Sequence, residues 1–264
     1  MHKVITMCNK AYFQYGTAFL QTRNMINAQF VCYGPDLTDD QIKILYDHNI
    51  GYKKVEQELF DEKMQALKFV FLASEMDNSY DNDLIAFCDF DTFFVSNFTQ
   101  LANEYDFDFG VTFRSDMIDR NCLRAFANGG VIFARKNRIA ANLTGHAYQL
   151  MRDGYYKELP EYDEIWHTLE HGRKPEKTHL RTNMRWWVDQ VFLSALAYKY
   201  YKTVGKGIYS GYLKYNAAKI KFFNCNRYNF IDATTECLQQ YKDSGVYIGH
   251  LKNNTGASSN LKDG

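Results

Sequence analysis

Carboxylates two residues apart can share one metal ion, and the chain has three such pairs, Asp81/Asp83, Asp89/Asp91 and Asp106/Asp108. Acidic loops produce the pattern by chance, so the flanking sequence has to sort them. Ligands of open α/β sheets bind beyond the carboxyl ends of the strands. Asp81/Asp83 and Asp106/Asp108 both precede apolar runs, which puts them at the opposite end as solvated turn residues. Asp89 and Asp91 directly follow Leu84-Ile85-Ala86-Phe87-Cys88, and Thr92-Phe93-Phe94-Val95 comes next. Carboxylates flanked by apolar chain on both sides are costly unless positive charge compensates them. In extended chain, residues i and i+2 project to one side, so one divalent cation could use both, directly or through water. The competing reading is a pair of capping or loop aspartates at the sheet edge.

Three further segments carry suitable side chains. In Asn128-Gly129-Gly130-Val131-Ile132-Phe133-Ala134-Arg135, two glycines ahead of an apolar strand let backbone approach a bulky ligand. Asn128 offers its amide to sugar hydroxyls, although an ordinary turn into a strand has the same pattern. In Trp186-Trp187-Val188-Asp189-Gln190, Asp189 and Gln190 begin a helix whose Val191, Phe192, Ala195 and Leu196 face a core. Aspartate at a helix start is commonly a cap or a dipole partner. Beside two tryptophans, whose faces suit sugar rings, it could instead meet a carbohydrate. Gly249-His250-Leu251-Lys252 ends the last strand-like run and sets an imidazole and an ammonium on one side. That pairing suits a metal ligand next to a phosphate contact, or a structural histidine.

The elements that must position these groups alternate. Lys3–Cys8 and Ala28–Tyr33 read as strands, with helical spacing over Tyr12–Asn24 between them. After Gly34-Pro35, Thr38-Asp39-Asp40-Gln41 has capping-box spacing and opens a helix with Ile42, Leu45 and Tyr46 on one face. A short strand near Tyr52–Val55 leads to a helix from about Asp61 to Met76, and the polar loop Asp77–Asp83 yields to the buried strand Leu84–Cys88. Such alternation predicts an α/β fold with a mostly parallel sheet flanked by helices. Further on, Phe107–Phe113 and Gly130–Ala134 read as strands, Arg138–Asp153 and Trp187–Tyr201 as helices, and Val246–Leu251 as a final strand. Tyr155–Arg185 is polar with weak periodicity, which predicts a functional loop or small subdomain, and the tail from Asn253 is rich in small polar residues.

With 264 residues, 46% of them hydrophobic and 16% aromatic, the chain can bury enough surface to offset its entropy, which excludes disorder as the main state. One large domain or two coupled lobes fit that length. The 31 basic side chains balance 31 acidic ones, which argues against a general binder of nucleic acid or membrane surfaces. Apolar runs such as Phe69–Ala73 fall far short of the roughly 20 residues that span a bilayer. Asn9 and Lys10 interrupt any secretory-signal layout, so the expected location is cytoplasmic. Cys8, Cys32, Cys88, Cys122, Cys225 and Cys237 are widely spaced without a CxxC pair and read as buried reduced thiols. The sequons at Asn97, Asn142 and Asn253 carry little weight in that compartment.

In this order, the pieces resemble the GT-A-fold glycosyltransferases, which use nucleotide-sugar donors, and in particular their glycogenin-like and galactosyltransferase-like branch. Asp89-Phe90-Asp91 looks like the metal motif, Asn128-Gly129-Gly130 the sugar-proximal segment, Asp189-Gln190 the catalytic-loop acid and His250 the C-terminal metal-binding histidine. Thr6-Met7-Cys8-Asn9-Lys10-Ala11-Tyr12 is similar to the first strand and turn of that branch. The resemblance implies one Rossmann-like domain over residues 1–264 with a smaller acceptor-side lobe. Residues 1–113 would bind the nucleotide-sugar, and residues 114–264 the acceptor. It implies Mn²⁺ or Mg²⁺ held by Asp89, Asp91 and His250, with one imidazole among oxygens tilting the choice to Mn²⁺. Tyr12 would stack on the nucleobase, with Thr6, Met7, Asn9 and Phe90 about it. Lys68 and Lys252 would meet the diphosphate, most readily that of UDP. Asn128, Gly129, Gly130 and Trp187 would lie at the sugar, and Asp189 and Gln190 at the reacting carbon. Asp189 would act as general base in an inverting reaction or support an oxocarbenium-like carbon in a retaining one. Asn253 departs from the family, where many members have glycine, and the loop Tyr155–Arg185 matches no known segment, which leaves the hydroxyl-bearing acceptor open. Two alternatives stand beside this reading. A haloacid-dehalogenase-like phosphatase also has Asp-x-Asp after an apolar strand, but needs the motif early and a later Gly-Asp-x-x-x-Asp, which is absent. The other is a non-catalytic carbohydrate- or nucleotide-binding protein of the same fold.

Overall fold

The computed structural model describes residues 1–114, 127–153, 177–205, 209–231 and 235–251, without the side chains of residues 62, 63, 151–153, 177–188 and 191. Its strands are β1 (Lys3–Met7), β2 (Gln29–Gly34), β3 (Ile50–Lys54), β4 (Leu84–Cys88), β5 (Thr92–Phe94), β6 (Phe109–Phe113), β7 (Ala127–Arg135), β8 (Tyr212–Tyr215), β9 (Ala218–Asn224), β10 (Phe230–Ile231) and β11 (Ile248–His250). Its helices are α1 (Thr17–Thr22), α2 (Asp39–Asp47), α3 (Gln57–Asp77), α4 (Leu101–Glu104), α5 (Arg138–Asp153), α6 (Lys177–Val204), α7 (Cys225–Tyr228) and α8 (Leu238–Asp243).

The main sheet runs β3-β2-β1-β4-β7-β6-β9-β8. β3, β2, β1 and β4 pair in parallel, as the strand–helix alternation predicts. β7 then inserts antiparallel between β4 and β6, and β9 pairs parallel to β6. The central strands β1, β4 and β6 are buried along their whole length. α3, α5 and α6 cover one face, where Leu67, Phe69 and Leu72 of α3 are essentially inaccessible. Each such side chain contributes about 1.5–3 kcal/mol of burial. The other face packs Phe19, Phe30, Phe90 and Phe94 together. Cys8, Cys32, Cys88 and Cys225 are buried thiols, Cys237 is half-buried, and Cys122 lies outside the described residues.

Several expectations are corrected. Tyr12–Asn24 is not one helix: a short 3₁₀ turn over Phe13–Gly16 leads into α1, and a second covers Arg23–Met25. Gly16 is there because a Cβ would sit 1.9 Å from the Phe90 ring, so the chain must pass close to that core aromatic. Asp189 and Gln190 do not begin a helix; α6 starts at Lys177 and they fall in its middle. Residues 177–185 of the expected loop therefore belong to α6, and residues 155–176 lie outside the described residues. The capping box at Thr38 holds, with its hydroxyl accepting the Gln41 amide N–H and the Gln41 side chain accepting the Thr38 N–H. Tyr46, expected on the buried face of α2, is exposed, while Leu45 is fully buried.

Two local features aim the site. β6 and β7 stay in register to Val111–Ile132, then Thr112 pairs with Asn128, so Gly129, Gly130 and Val131 bulge away from β6. Bulges of this kind redirect backbone groups next to functional sites. The Gly130 carbonyl accepts the Asp89 N–H at 2.8 Å, and the Gly129 carbonyl accepts Lys68 Nζ at 3.1 Å. The second feature is a small sheet in the order β10-β11-β5. β11 runs antiparallel to β5 with His250 opposite Thr92, and the Leu251 N–H bonds the Asp91 carbonyl at 2.9 Å. That pairing carries the C-terminal imidazole to the tip of β4.

Candidate active site with a metal-ligand cluster

Asp89, Asp91 and His250 converge, with one potential ligand atom from each lying within 4.8 Å of the others. His250 Nε2 is 3.2 Å from Asp91 Oδ1 and 3.9 Å from Asp89 Oδ2. An ion bound at about 2.0–2.2 Å holds adjacent ligand atoms about 3 Å apart, so this spacing fits one divalent cation. Asp91 Oδ1 is buried without a hydrogen bond, whereas Asp91 Oδ2 accepts the Tyr12 hydroxyl at 2.6 Å. A buried carboxylate oxygen without a donor is costly in protein interior and suits a cation. His250 Nδ1 faces Asn229 Oδ1 at 2.9 Å.

Behind the cluster lies a second layer of charge. Lys68 of α3, 3% exposed, is 2.9 Å from Asp189 Oδ2 and 3.3 Å from Asp89 Oδ1. Asp189 Oδ1 accepts the Gln190 N–H at 2.8 Å, so both oxygens of this carboxylate are engaged inside the protein. Burial pulls the Lys68 ammonium down, but the facing Asp189 and Asp89 outweigh it and hold it above its ordinary range. Burial pushes the Asp89 carboxyl up and the neighbouring Asp91 and Asp189 add to it, outweighing the opposing pull of Lys68 and His250. Asp91 goes the other way: burial resists its charge, yet His250 and the Tyr12 hydroxyl prevail and hold it below the usual carboxylate range. Two neighbouring carboxylates with opposite shifts are a recognised mark of functional sites.

Gly129 and Gly130 are needed for this packing. A Cβ on Gly129 would lie 2.1 Å from Asp189 Oδ2, and one on Gly130 would lie 2.6 Å from His250 Cε1 and 2.9 Å from Asp89 Oδ2. Among the described residues, then, the close approach that glycine permits is used by the protein's own carboxylates and imidazole. Asn128 is also engaged internally, its side-chain oxygen accepting the Gly130 N–H at 2.8 Å.

Next to Asp89 opens a recess of about 120 Å³ lined by Met7, Cys8, Asn9, Tyr12, Phe60, Met64, Gln65, Asp89 and Phe90. That volume compares with the ~150 Å³ cavity that accepts one benzene ring, so it suits one ring system rather than a whole nucleotide. The Asn9 side chain accepts the Tyr12 N–H at 2.8 Å and shapes the turn above it. Thr6, expected beside this recess, is buried on β1 and does not line it. The structure thus brings together Asp89, Asp91, His250, Lys68, Asp189, Gly129 and Gly130, with Tyr12, Met7, Asn9 and Phe90 alongside. Gln190 is half-buried one residue on. Lys252 and the Trp187 side chain lie outside the described residues. Sequence reasoning missed Asn229 and Thr112, single polar residues that no motif marks. It also missed Phe60, Met64 and Gln65, which sit on α3 where an apolar face reads only as core.

No family model matches the chain, and no curated protein matches it. Solved structures do. The galactosyltransferase LgtC in complex with donor and acceptor sugar analogues aligns over 96% of this chain and 87% of its own, with a TM-score of 0.50 at 10% identity. An active-site mutant of LgtC aligns over 94% of this chain and 86% of its own, with a TM-score of 0.51 at 12% identity. The chain therefore has a GT-A-like glycosyltransferase fold. No helix among the described residues is long and apolar enough to cross a membrane.

Proposed function

We propose that this protein transfers a sugar from a nucleoside-diphosphate sugar, a UDP-sugar foremost, to an acceptor hydroxyl. The observation that carries the reading is the donorless Asp91 Oδ1 set 3.2 Å from His250 Nε2 at the tip of β4. Asp89, Asp91 and His250 would hold Mn²⁺ in preference to Mg²⁺, because an imidazole joins the oxygen ligands. The ion, when bound, would neutralise charge on the departing diphosphate as a Lewis acid.

The chain's own groups divide the remaining work. The recess beside Asp89 would take the base, with Met7 and Phe90 as apolar wall and Asn9 as the polar edge. The Tyr12 ring, 36% exposed, is available for stacking while its hydroxyl orients Asp91. Lys68 would act through Asp89 and Asp189 as the fixed positive charge of the site. Asp189 would then order Lys68 and the Gly129–Gly130 bulge, and support positive charge at the reacting carbon. A role as general base would require it to release Lys68. Gln190, the residue after Asp189, would lie towards the sugar. The roles of Lys252 at the diphosphate and Trp187 at the sugar rest on the sequence alone. A phosphatase reading gains nothing here, since Asp89 is wedged between Lys68 and His250 rather than presented as a nucleophile.

The test is to incubate the protein with a panel of UDP- and GDP-sugars plus Mn²⁺ and measure nucleotide release. Release with at least one donor, lost in Asp91→Ala, is the expected result. No release with any donor, or unchanged release in Asp91→Ala, would overturn the reading.

A further inference from the structure

A histidine can offer either ring nitrogen, and nothing about β11 itself decides which one. The decision is made by a chain of buried polar groups behind His250. It starts at the Asn128 backbone carbonyl, which can only accept. Thr112 Oγ1 lies 2.9 Å from it and donates its proton there, with the Val131 carbonyl at 3.3 Å as a second acceptor. Thr112 Oγ1 is then left with lone pairs, and Asn229 Nδ2 donates to it at 3.1 Å, with a longer contact of 3.5 Å to the same Asn128 carbonyl. The amide of Asn229 is thereby fixed with its oxygen towards His250 Nδ1 at 2.9 Å. An amide oxygen only accepts, so Nδ1 must carry a proton, and Nε2 is the nitrogen left facing Asp91 and Asp89. Asn229 and Thr112 are both inaccessible to solvent, so no water competes for these bonds.

The backbone is pinned as firmly as the side chain. The Asn229 N–H bonds the Cys225 carbonyl at 2.9 Å, and the Asn229 carbonyl accepts the Cys225 thiol at 3.0 Å. β10, which begins at the next residue, pairs in parallel with β11 at Ile231–His250.

We propose that Asn229 is the positioning residue that makes His250 a metal ligand through Nε2, and that Thr112 and the Asn128 carbonyl set its orientation. The proposal rests on the metal reading above and adds to it a residue that touches neither ion nor substrate. It also ties the ligand to the β6–β7 bulge, because the carbonyl that starts the relay belongs to the segment that carries Gly129 and Gly130. Partners of this kind typically contribute about 10–100-fold to metal affinity.

The experiment is ¹⁵N NMR of the His250 ring in the metal-free protein, at a pH above the imidazole range, alongside Mn²⁺ titration by water-proton relaxation. In the wild type the ring proton should sit on Nδ1. In Asn229→Leu it should move to Nε2, towards Asp91, and Mn²⁺ affinity should fall roughly 10–100-fold. Asn229→Asp keeps an acceptor at Nδ1 and should restore the Nδ1 proton and remove most of the roughly 10–100-fold loss of affinity. Thr112→Val, which keeps the shape and removes the anchor, should give a mixture of tautomers, and serves if Asn229→Leu fails to fold. An Nδ1 proton that survives in Asn229→Leu or Thr112→Val, or affinity that is unchanged there, would overturn the proposal. Absence of Mn²⁺ binding in the wild type itself would sink the metal reading, while the tautomer result would still judge Asn229.

Discussion

α3 carries two buried charges on one face, Lys68 and Glu75, seven residues or about 10 Å apart. The two are solved in opposite ways. Glu75 is met by an excess of donors: Lys3 Nζ at 2.7 Å, the Tyr33 hydroxyl at 2.6 Å, and Lys53 Nζ. Lys3 spends a further bond on the Asn78 carbonyl at 2.8 Å. One carboxylate there faces two ammonium groups, and every polar atom is used. Around Lys68, a single ammonium serves Asp189 and Asp89, with Asp91 adding a third carboxylate beyond them. The first cluster is complete as it stands. Among the described residues, the second has an excess of negative charge and one carboxylate oxygen without a donor. The same helix thus joins a complete ion cluster to one in which, among the described residues, carboxylates outnumber ammonium groups, and a doubly charged cation would have the right sign and size of charge.

The largest expected effect breaks the complete cluster. Glu75→Gln leaves the buried Lys3, beside the exposed Lys53, with no counter-charge and should cost about 3–5 kcal/mol. The check is a urea unfolding curve with a lowered midpoint and an unchanged slope. Mn²⁺ affinity should not move, since the metal ligands keep all their contacts. The same residue gives a pH signature. Burial resists ionisation of Glu75, but Lys3, Lys53 and Tyr33 outweigh it and hold its carboxyl below the ordinary range. Its contribution is therefore fully present above the unfolded glutamate value of about 4.3 and disappears as the pH falls through the lower folded value. Wild-type stability should drop more steeply than that of Glu75→Gln in this acid window. Parallel curves for the two proteins would remove Glu75 from the account.

Adding the ion to the incomplete cluster comes next in size. Mn²⁺ at a hundred times its dissociation constant should stabilise the wild type by about 2.7 kcal/mol, read as a rise in melting temperature that a chelator reverses. Glu75→Gln should gain the same increment from its lower starting point, because the two clusters share no partner. Asp91→Asn should gain none. An equal rise in all three proteins would mean that the ion binds elsewhere.

How legible was this from the sequence? The apolar run at Leu84–Cys88 followed by two aspartates was enough to place Asp89 and Asp91 at a strand tip, because that reading needs only a five-residue strand and its end. The capping box at Thr38 is equally local. Asp189 was misplaced by contrast, since the two tryptophans before it resemble a boundary while the helix runs on through them from Lys177. The hairpin β8–β9 went unread although Tyr212–Tyr215 and Ala218–Lys221 alternate. Its turn uses Asn216 and Ala217 at φ 46° and 67°, and alanine is not a residue that announces a positive φ. Asn229 and Thr112 left no trace at all. A buried polar residue that acts on one partner has no period and no motif, and only the tertiary contact reveals it.

The smallest effect is also the one that separates the two clusters by sign. Asp89 carries a carboxyl that burial and the neighbouring Asp91 and Asp189 push up, against Lys68 and His250. For an acid shifted in that direction, the charged form weakens the fold, and the penalty grows as the pH rises above the unfolded value. Asp89→Asn keeps the shape, leaves Lys68 with Asp189 and the Gly129 carbonyl, and relieves one charge conflict. In chelator it should be more stable than wild type by about 0.5–2 kcal/mol, the usual size of a single stabilising substitution. In Mn²⁺ the order should invert, because only the wild type gains from the ion. Glu75→Gln loses stability under both conditions. A variant at Asp89 that is weaker in chelator as well would mean that this carboxylate is part of the scaffold, and the contrast between the two clusters on α3 would be lost.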